Sequence, residues 1–290
     1  MIFNIVNKFL ILCKVMVGYC MKWKIDIFGP GKIYPLERKD EGSNCIVSLT
    51  SYGRRVYKVV YYTLVSMLKQ SLPPNRIILW LSRDEWTEDN LPKRLKNLEK
   101  YGVEYRFCED IRSYTKLIPT LKIAPKDVIV TVDDDVIYSR DLLCTLNKEH
   151  EKSPTSICCT HAVYPALSDE GTLTPYKTWE IVRNAKKDPQ KLLFPVGVGG
   201  ILYPPQSLHE DVFCQDCFMD ICPLADDIWF WAMARKKGTE HRLTDRKTKQ
   251  YSFDDLFQFF HKGSHLSQQN RKQNMNDVQL CAVLEKYPVL

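Results

Sequence analysis

Short apolar runs alternate with helical segments from Asn44 onward, and this alternation is the feature that most limits the fold. Cys45–Leu49, Arg76–Leu81 and Val103–Phe107 are rich in aliphatic and aromatic residues, as strands are. A fourth and almost wholly apolar run, Val128–Val132, follows them. Strands joined by short helical crossovers run parallel within one sheet. The pattern therefore predicts an α/β domain with a mostly parallel central sheet flanked by helices.

The segments between these strands have the character of helices. Val56–Gln70, Leu91–Tyr101 and Ser113–Ala124 are the predicted crossovers. In the first of them, apolar residues recur every four positions, which places them on one helical face. Gly102 follows the second segment and is typical of a helix end. The second half of the chain is less regular, and its clearest predicted helix is Asp226–Lys237.

The composition is that of one globular domain behind a distinct N-terminal segment. The 290 residues are 44% hydrophobic and include 41 Lys and Arg against 35 Asp and Glu. This small excess of positive charge forms no dense basic stripe, so nucleic acid is not an expected partner. No linker divides residues 25–290, which we divide only into halves at 44–141 and 142–290. The 11 cysteines are scattered and odd in number, which indicates a reducing, cytoplasmic compartment.

Residues 1–24 are mostly apolar but are interrupted by Lys8 and Lys14, so no run is long enough to span a membrane. At helical spacing, Lys8, Lys14 and Lys22 share one side and most of the apolar residues share the other. Such an amphipathic helix can lie in the plane of an anionic membrane surface. It can equally pack on the surface of its own domain, and the placement of the lysines does not separate the two readings.

The strand Val128–Val132 leads directly into Asp133, Asp134 and Asp135. Three carboxylates therefore follow a central parallel strand, at the edge where open α/β sheets bind ligands. Asp133 and Asp135 project to the same side of an extended chain and repel each other unless a proton or a cation lies between them. Carboxylate oxygens suit Mg²⁺ or Mn²⁺, which we expect here as the cofactor. The alternative is that the cluster only caps the helix that begins near Ser139.

A second acidic pair, Asp226 and Asp227, opens the predicted helix that Gly238 ends. We expect Asp226 to be the helix N-cap. Its neighbour Asp227 would then face the cleft in its ionised form and take a proton from a hydroxyl group. The alternative is that this pair only caps the helix and has no catalytic role. The apolar residues that follow are expected to be buried and to hold the carboxylates in place.

Missing motifs exclude several nucleotide-binding classes. No GxGxxG follows the first strand and no GxxxxGK[ST] occurs, so a dinucleotide oxidoreductase and a Walker-type nucleotide hydrolase are excluded.

Two further clusters of residues in the second half have a structural interpretation. Gly197, Gly199 and Gly200 allow either close approach of a ligand or a bulged strand. Cys214, Cys217 and Cys222 have a loosely zinc-like spacing without a fourth ligand, so we expect them to be buried apolar residues.

Five stretches of the chain together resemble a bacterial family of inverting glycosyltransferases. This family has the metal-dependent nucleotide-diphospho-sugar transferase fold, is related to family 2 enzymes, and is common in capsule and surface-polysaccharide loci. The DDD and ADDIWF segments are the most specific part of the resemblance, which covers most of residues 44–240. The stretches are Ser48–Arg55, Glu109–Pro119, Val128–Leu143, Gly197–Pro205 and Ala225–Ala234.

The resemblance implies a role for each candidate residue. Asp135 would ligate a metal ion that bridges the two phosphates of the donor, and Asp133 would contact the ribose or support the metal. Asp227 would be the catalytic base, with Asp226 as its partner or cap. The polar segment Tyr251–Asn276 offers no clear third metal ligand. The residues implied to bind the nucleotide are Thr50, Ser51, Arg54, Asp110, Lys116, Asp133 and Asp134.

The implied activity is transfer of a sugar from a nucleotide-diphosphate donor, with uracil as our choice of base, to a hydroxyl of a glycan or lipid-linked acceptor. Residues 44–141 would bind the nucleotide and residues 142–290 the acceptor. The expected location is the inner face of the plasma membrane. A metal-dependent sugar-phosphate nucleotidyltransferase and a noncatalytic sugar-binding or scaffold protein of the same fold are the two alternatives.

Overall fold

The structure is a computed structural model that describes residues 16–42, 44–169, 172–182, 192–246, 248–252 and 274–289. The strands of this part of the chain are β1 (Cys45–Thr50), β2 (Arg76–Ser82), β3 (Val103–Cys108), β4 (Val128–Thr131), β5 (Val136–Tyr138), β6 (Ile157–Cys159), β7 (Ala162–Tyr164), β8 (Glu180–Ile181), β9 (Phe194–Pro195), β10 (Ile201–Tyr203), β11 (His241–Leu243) and β12 (Gln250–Ser252).

The helices lie between and after these strands. They are α1 (residues 16–28), α2 (Arg54–Lys58), α3 (Val60–Leu68), α4 (Lys93–Lys96), α5 (Ile118–Ile123), α6 (Leu142–Lys152), α7 (Gln215–Ile221), α8 (Asp226–Lys237) and α9 (Met275–Lys286). Short 3-10 helices cover Glu99–Tyr101, Arg112–Lys116, Tyr176–Thr178, Gly197–Gly199 and Glu210–Phe213.

Seven strands of the described residues form the central sheet in the order β11-β6-β10-β4-β1-β2-β3. The pairs β1 with β2, β1 with β4, and β2 with β3 are all parallel. Strand β10 runs antiparallel between β4 and β6, and β11 is parallel to β6. The predicted fold class, an α/β domain with a mostly parallel central sheet flanked by helices, is confirmed. The same described residues also form a pair β5-β12 and a three-stranded sheet β8-β7-β9.

A polar anchor holds β1 and β4 together at the edge of the sheet where both strands begin. The buried carboxylate of Asp127, just before β4, accepts hydrogen bonds from the backbone N–H groups of Gly42 at 2.7 Å and Asn44 at 3.0 Å. It also accepts one from the Asn44 side chain at 3.1 Å. Because the strands are parallel, a fixed start also fixes which residues stand side by side at the opposite, carboxyl edge.

The predicted crossover helices are present but broken. The segment predicted as Val56–Gln70 forms α2 and α3, which are separated at Val59, where the backbone leaves the helical region (φ −124°, ψ −54°). Two adjacent valines are stiff at χ1 and weak helix formers. The segment before Gly102 is a short α4 followed by a 3-10 turn, and Gly102 ends it in the left-handed region (φ 94°) as predicted. Pro119 lies in the first turn of α5, where proline is favoured.

Helix α8 is the most deeply buried helix of the second half. It spans Asp226–Lys237 and is followed by Gly238 with φ 81°, both as predicted. Trp229 and Trp231 are at most 1% exposed, which confirms the expected burial of this segment. One apolar cluster joins α8 and α9 to the sheet, and another joins α3 and α6 to it. The acidic start of α8 is therefore held by a well-packed helix.

The structure confirms only part of what the sequence predicts for Cys214, Cys217 and Cys222. Cys214 and Cys217 are joined by a disulfide, so the expectation of reduced cysteines is wrong for this pair. Their Cα atoms lie 5.2 Å apart, within the normal range for a disulfide, because Cys214 directly precedes α7 and the helical turn brings Cys217 back to it. Cys222 is free and buried, as expected.

The N-terminal segment is described from residue 16, so Lys8 and Lys14 lie outside the described residues. Helix α1 packs on the domain: Gly18 is buried, and Met21 and Ile25 contact a cluster that contains Tyr62 and Ile137. Over residues 16–28, packing on the protein's own surface is thus observed. Within the described part of the chain, no helix has the length and hydrophobicity needed to cross a membrane.

Candidate functional site

The carboxyl ends of β1 and β4 lie next to each other and carry the first acidic cluster. Ser48 pairs with Thr131 in the parallel register, so the residues that follow the two strands stay together. The hydroxyl of Ser51 donates to Asp134 Oδ2 at 2.5 Å, and the Thr63 hydroxyl donates to the Asp134 carbonyl at 2.8 Å. Burial raises the pKa of Asp134, although Arg55 and Ser51 oppose this rise. Asp134 therefore faces inward and orders the turn.

Arg55 of α2 holds the outer part of the same turn. Its guanidinium donates to Asp134 Oδ1 at 2.7 Å and also to the carboxylate of Asp135. The side chain of Asp135 is 25% exposed. Arg55 was not among the residues chosen from the sequence, which favoured its neighbour Arg54. The sequence does not show which of the two adjacent arginines turns inward, because that depends on how the short helix α2 is rotated about its own axis.

Lys116 joins the first acidic cluster to the second. It is buried, and its Nζ lies 3.1 Å from Asp133 Oδ1 and 3.0 Å from Asp226 Oδ2. Burial by itself lowers the pKa of a lysine, but attraction to Asp133, Asp226 and Asp227 outweighs burial and places the pKa of Lys116 well above its usual range. The ammonium group is thus charged at every physiological pH. It bridges the end of β4 and the start of α8.

Asp226 is not the helix N-cap that the sequence predicts. Ala225 occupies the cap position, and α8 starts at Asp226 without a side-chain cap hydrogen bond. The carboxylate of Asp226 instead faces Lys116. An unpaired buried ammonium group would be costly, and its ion pair with Asp226 takes the place of a cap hydrogen bond.

Asp227 is held by backbone rather than by a cation. Its Oδ2 accepts the N–H of Gly197 at 3.0 Å. A Cβ atom at position 197 would lie 2.7 Å from Asp227 Oδ1, so only glycine allows this approach. Burial, followed by the charge of Asp226, raises the pKa of Asp227 to about 7, although Lys116 and the Gly197 N–H oppose the rise. A carboxyl group with this pKa can exchange protons at neutral pH.

Tyr138 connects the acidic turn to the glycine turn. Its hydroxyl accepts the backbone N–H of Asp133 at 2.9 Å and donates to the Val198 carbonyl at 3.1 Å. The residues that hold both carboxylate clusters therefore form one hydrogen-bonded network. Neither Tyr138 nor the contact of Gly197 with Asp227 was found from the sequence, because both depend on contacts between distant parts of the chain.

Three of the residues chosen from the sequence lie apart from this network. The Thr50 hydroxyl donates to the Trp80 carbonyl at 3.1 Å. The exposed carboxylate of Asp110 accepts the N–H of Arg112 at 2.7 Å. Arg54 is exposed and makes no ion pair within the described residues. The structure thus brings together Ser51, Lys116, Asp133, Asp134, Asp135, Asp226 and Asp227.

The repulsion among the three neighbouring carboxylates is relieved by protein cations. Asp134 and Asp135 face Arg55, and Asp133 faces Lys116. No three His, Cys, Asp or Glu side chains of the described residues lie close enough together to hold a metal ion. Asp133 and Asp135 still present partly exposed carboxylate oxygens. Because Mg²⁺ commonly takes one or two carboxylates and fills its other positions with water and phosphate, these two residues fit such an ion.

Comparison with known proteins gives similarity in structure only. No protein-family model matches the chain, and no curated protein matches it in sequence. A crystal structure of 4-diphosphocytidyl-2C-methyl-D-erythritol synthase is 13% identical, with a TM-score of 0.42, over 74% of this chain and 91% of that chain. Identity this low, with a TM-score below 0.5, assigns neither activity nor substrate.

Two crystal structures of S. aureus TarS 1–349 are similar to the same degree. The complex with UDP is 13% identical, with a TM-score of 0.41, over 71% of this chain and 59% of that chain. The complex with UDP-GlcNAc is 14% identical, with a TM-score of 0.47, over 77% of this chain and 60% of that chain. This chain therefore spans less than two thirds of the TarS fragment.

Replacing the bridging ammonium group tests the network directly. Lys116→Met keeps the length of the side chain but leaves Asp133 and Asp226 without their cation, so we expect the free energy of unfolding to fall by about 3 to 5 kcal/mol. Urea denaturation of the full chain measures this loss. Adding Asp226→Asn to Lys116→Met should restore part of it, because one of the unpaired charges is then removed. Lys148→Met, on the exposed side of α6, is the control. Equal stability of Lys116→Met and this control would contradict the assigned role.

Proposed function

We propose that the chain is a glycosyltransferase that moves a sugar, of the hexosyl class, from a nucleotide-diphosphate donor to a hydroxyl of a glycan or lipid-linked acceptor. The proposed donor is UDP-linked, the reaction inverts the anomeric centre, and the product belongs to a capsule or surface polysaccharide. The observation that carries the proposal is Asp227, a carboxyl group with a pKa near 7 held beside a second acidic cluster at the carboxyl edge of parallel strands.

Asp227 is the proposed catalytic base. Its pKa lies close to the working pH, which is where a general base is both available and strong enough to be useful. The Gly197 N–H fixes one carboxylate oxygen and leaves the other to accept the proton of the acceptor hydroxyl. Asp226 raises this pKa by its charge, so it is a positioning and tuning residue in this proposal.

The acidic turn after β4 is the proposed site of the donor diphosphate. Asp135 and Asp133 would hold Mn²⁺ or Mg²⁺ there. The ion supplies positive charge that stabilises the leaving diphosphate. Arg55 already lies against Asp135 and is a planar donor suited to phosphate oxygens. Ser51, Lys116 and Asp134 support the turn, while Thr50, Arg54 and Asp110 stay proposed contacts of the nucleotide.

A single displacement fits this arrangement. The acceptor oxygen attacks the anomeric carbon as its proton moves to Asp227, and the bond from that carbon to the diphosphate oxygen breaks on the opposite face. The nucleoside diphosphate leaves with the bonding electron pair. Attack and departure on opposite faces invert the anomeric configuration, so no covalent sugar intermediate on the protein is required.

A metal-dependent sugar-phosphate nucleotidyltransferase is the second candidate. It would use the same acidic turn, but its nucleophile is a phosphate oxygen that is already ionised at neutral pH and needs no base. A carboxyl group with a pKa near neutral pH can act as the base that a hydroxyl nucleophile needs, which favours glycosyl transfer. Consumption of a nucleoside triphosphate together with a sugar phosphate would establish the nucleotidyltransferase instead.

A noncatalytic sugar-binding or scaffold protein is the third candidate. It leaves both acidic clusters unexplained, and hydrolysis of a nucleotide-sugar donor by the protein would exclude it.

We also propose that the protein works at the inner face of the plasma membrane, with residues 1–24 against an anionic lipid surface. A lipid-linked acceptor would be presented at such a surface. The division into a nucleotide-binding half, residues 44–141, and an acceptor-binding half, residues 142–290, belongs to the same proposal.

Removing the base should affect turnover and not donor binding. Asp227→Asn retains an oxygen that can accept the Gly197 N–H but cannot take a proton, so we expect the turnover number to fall roughly 10²- to 10⁴-fold. Release of UDP from UDP-sugars by wild type and variant measures this change, and thermal shift with UDP measures binding. Asp220→Asn, which makes the same change on an exposed part of α7, is the control. A variant as active as wild type would remove Asp227 from the mechanism.

The raised pKa of Asp227 also predicts a pH-dependent stability. Between about pH 4, the ordinary value for aspartate, and pH 7, the folded state binds this proton more tightly than the unfolded state. The contribution of the group to stability is therefore lost as the pH rises through this window. Asp227→Asn has no carboxyl group to titrate and does not lose this stability. The Tm of the variant minus the Tm of wild type should therefore increase from pH 4 to pH 7 and then stay constant. A Tm difference that does not change with pH would show that the carboxyl group titrates normally.

Asp135 tests the metal proposal. In wild type we expect UDP with Mn²⁺ to stabilise the fold by about 2.7 kcal/mol at one hundred times the dissociation constant, with a smaller shift for UDP alone. Asp135→Ala should abolish the extra stabilisation from Mn²⁺ and the Mn²⁺-dependent turnover. Asp89→Ala, an exposed site before α4, is the matched control. An undiminished Mn²⁺ effect in Asp135→Ala would exclude this carboxylate as a ligand.

A further inference from the structure

Helix α1 has two apolar sides, and the other described residues cover one of them. Gly18, Met21 and Ile25 face the domain. Met16, Trp23 and Ile27 recur at helical spacing on the opposite side and are 55%, 67% and 52% exposed. Phe28, at the end of the helix, is 75% exposed. A soluble surface seldom gathers such residues without a binding role.

One flank of this exposed side opens into a cavity of about 450 Å³ between α1 and the segment that contains α2 and α3. Its main lining residues are Tyr19, Lys22, Asp26, Tyr57, Lys58 and Arg94. Three of these side chains are cationic and one is anionic, so the lining has a formal net charge of +2 (3 − 1). The cavity is therefore suited to an anion bordered by aromatic surface.

The single carboxylate of the cavity is already engaged. Asp26 accepts the Tyr62 hydroxyl at 2.6 Å and lies 3.2 Å from Lys22 Nζ and 3.3 Å from an Arg94 nitrogen. The guanidinium of Arg94 also stacks 3.9 Å above the ring of Tyr61. Lys58 is exposed and has no ion pair among the described residues. The positive charge of Lys58 is thus not balanced by any carboxylate of the described residues.

The other flank of α1 is also basic. Lys24 is exposed on that side, and Lys69 and Arg140 lie nearby, with Arg140 Nε donating to the Lys69 carbonyl at 3.2 Å. Burial lowers the pKa of Lys69, and the charges of Arg140 and Lys24 lower it further. Among the described residues, no ion pair joins Lys24, Lys69 or Arg140 to a carboxylate, so this group of like charges is open to an external anion. The exposed apolar side of α1 is therefore bordered by positive charge on both flanks.

We propose that this face of α1 docks on an anionic lipid bilayer and that the cavity binds the phosphate headgroup of one anionic lipid. An apolar strip that contains Trp23 and runs between two basic flanks is the pattern of a helix that lies in the membrane interface. Anionic lipid supplies both the apolar layer and the negative charge, whereas an acidic protein partner supplies mainly the charge. The inference specifies the membrane contact in the proposed function and is independent of the transfer chemistry.

Vesicle binding tests this proposal with the full-length protein. We expect vesicles of equimolar phosphatidylcholine and phosphatidylglycerol to bind the wild type, and vesicles of phosphatidylcholine alone to bind it at least roughly tenfold more weakly. Lys58→Glu should weaken binding to the mixed vesicles by roughly tenfold or more, because one attraction becomes a repulsion. Lys148→Glu makes the same charge change on α6 and should leave binding unchanged. Trp23→Ala should weaken binding through lost apolar contact.

Three outcomes would overturn the proposal: equal binding to both vesicle types, equal effects of Lys58→Glu and Lys148→Glu, or stabilisation by soluble glycerol phosphate without vesicle binding. Thermal shift with UDP and Mn²⁺ on the same variants separates this proposal from the transferase. An intact UDP response in Lys58→Glu with lost vesicle binding supports the lipid site. Vesicle binding by a wild-type protein that does not respond to UDP would contradict the transferase and leave the lipid site standing.

Discussion

The ion pairs of Lys116 are the interaction on which the rest of the site depends. A buried ammonium group is tolerated only when carboxylates surround it closely, and Lys116 finds them at the end of β4 and the start of α8. These elements belong to the two halves of the chain, one to the parallel strands and the other to a helix buried beyond them. The same contacts that allow the lysine to be buried therefore bring Asp227 close to the acidic turn after β4.

The elements could be predicted from the sequence because each is determined by short-range patterns. Parallel strands appear as continuous apolar runs, and both the left-handed Gly238 and the apolar body of α8 are local signals. The selection of Arg55 over Arg54, the partner of Asp226 and the link from Tyr138 to Val198 could not be predicted in this way. Each of these depends on which distant backbone or charge lies within about 3 Å, and no spacing in one sequence encodes that distance.

The distribution of positive charge separates Asp134 and Asp226 from Asp227. Asp134 and Asp226 are buried, and each faces a cation, as expected for groups that hold a structure together. Asp227 has a backbone N–H as its hydrogen-bond partner, and burial therefore raises its pKa. Retaining such a group costs stability, which is typical of functional sites. From the sequence alone we expected a proton or a metal ion to relieve the repulsion among the carboxylates after β4, because the positions of Arg55 and Lys116 in space could not be read from it.

The hydrogen bond from Gly197 also has an evolutionary consequence. Gly197 begins the 3-10 turn that leads into β10, the strand that runs antiparallel within the central sheet. The carboxyl group of Asp227, the proposed proton acceptor, is thus tied to the central sheet. Substitutions that leave this turn and strand intact therefore leave the carboxyl group of Asp227 in its place. Descendants of such a chain can diverge elsewhere and still inherit the position of this carboxyl group.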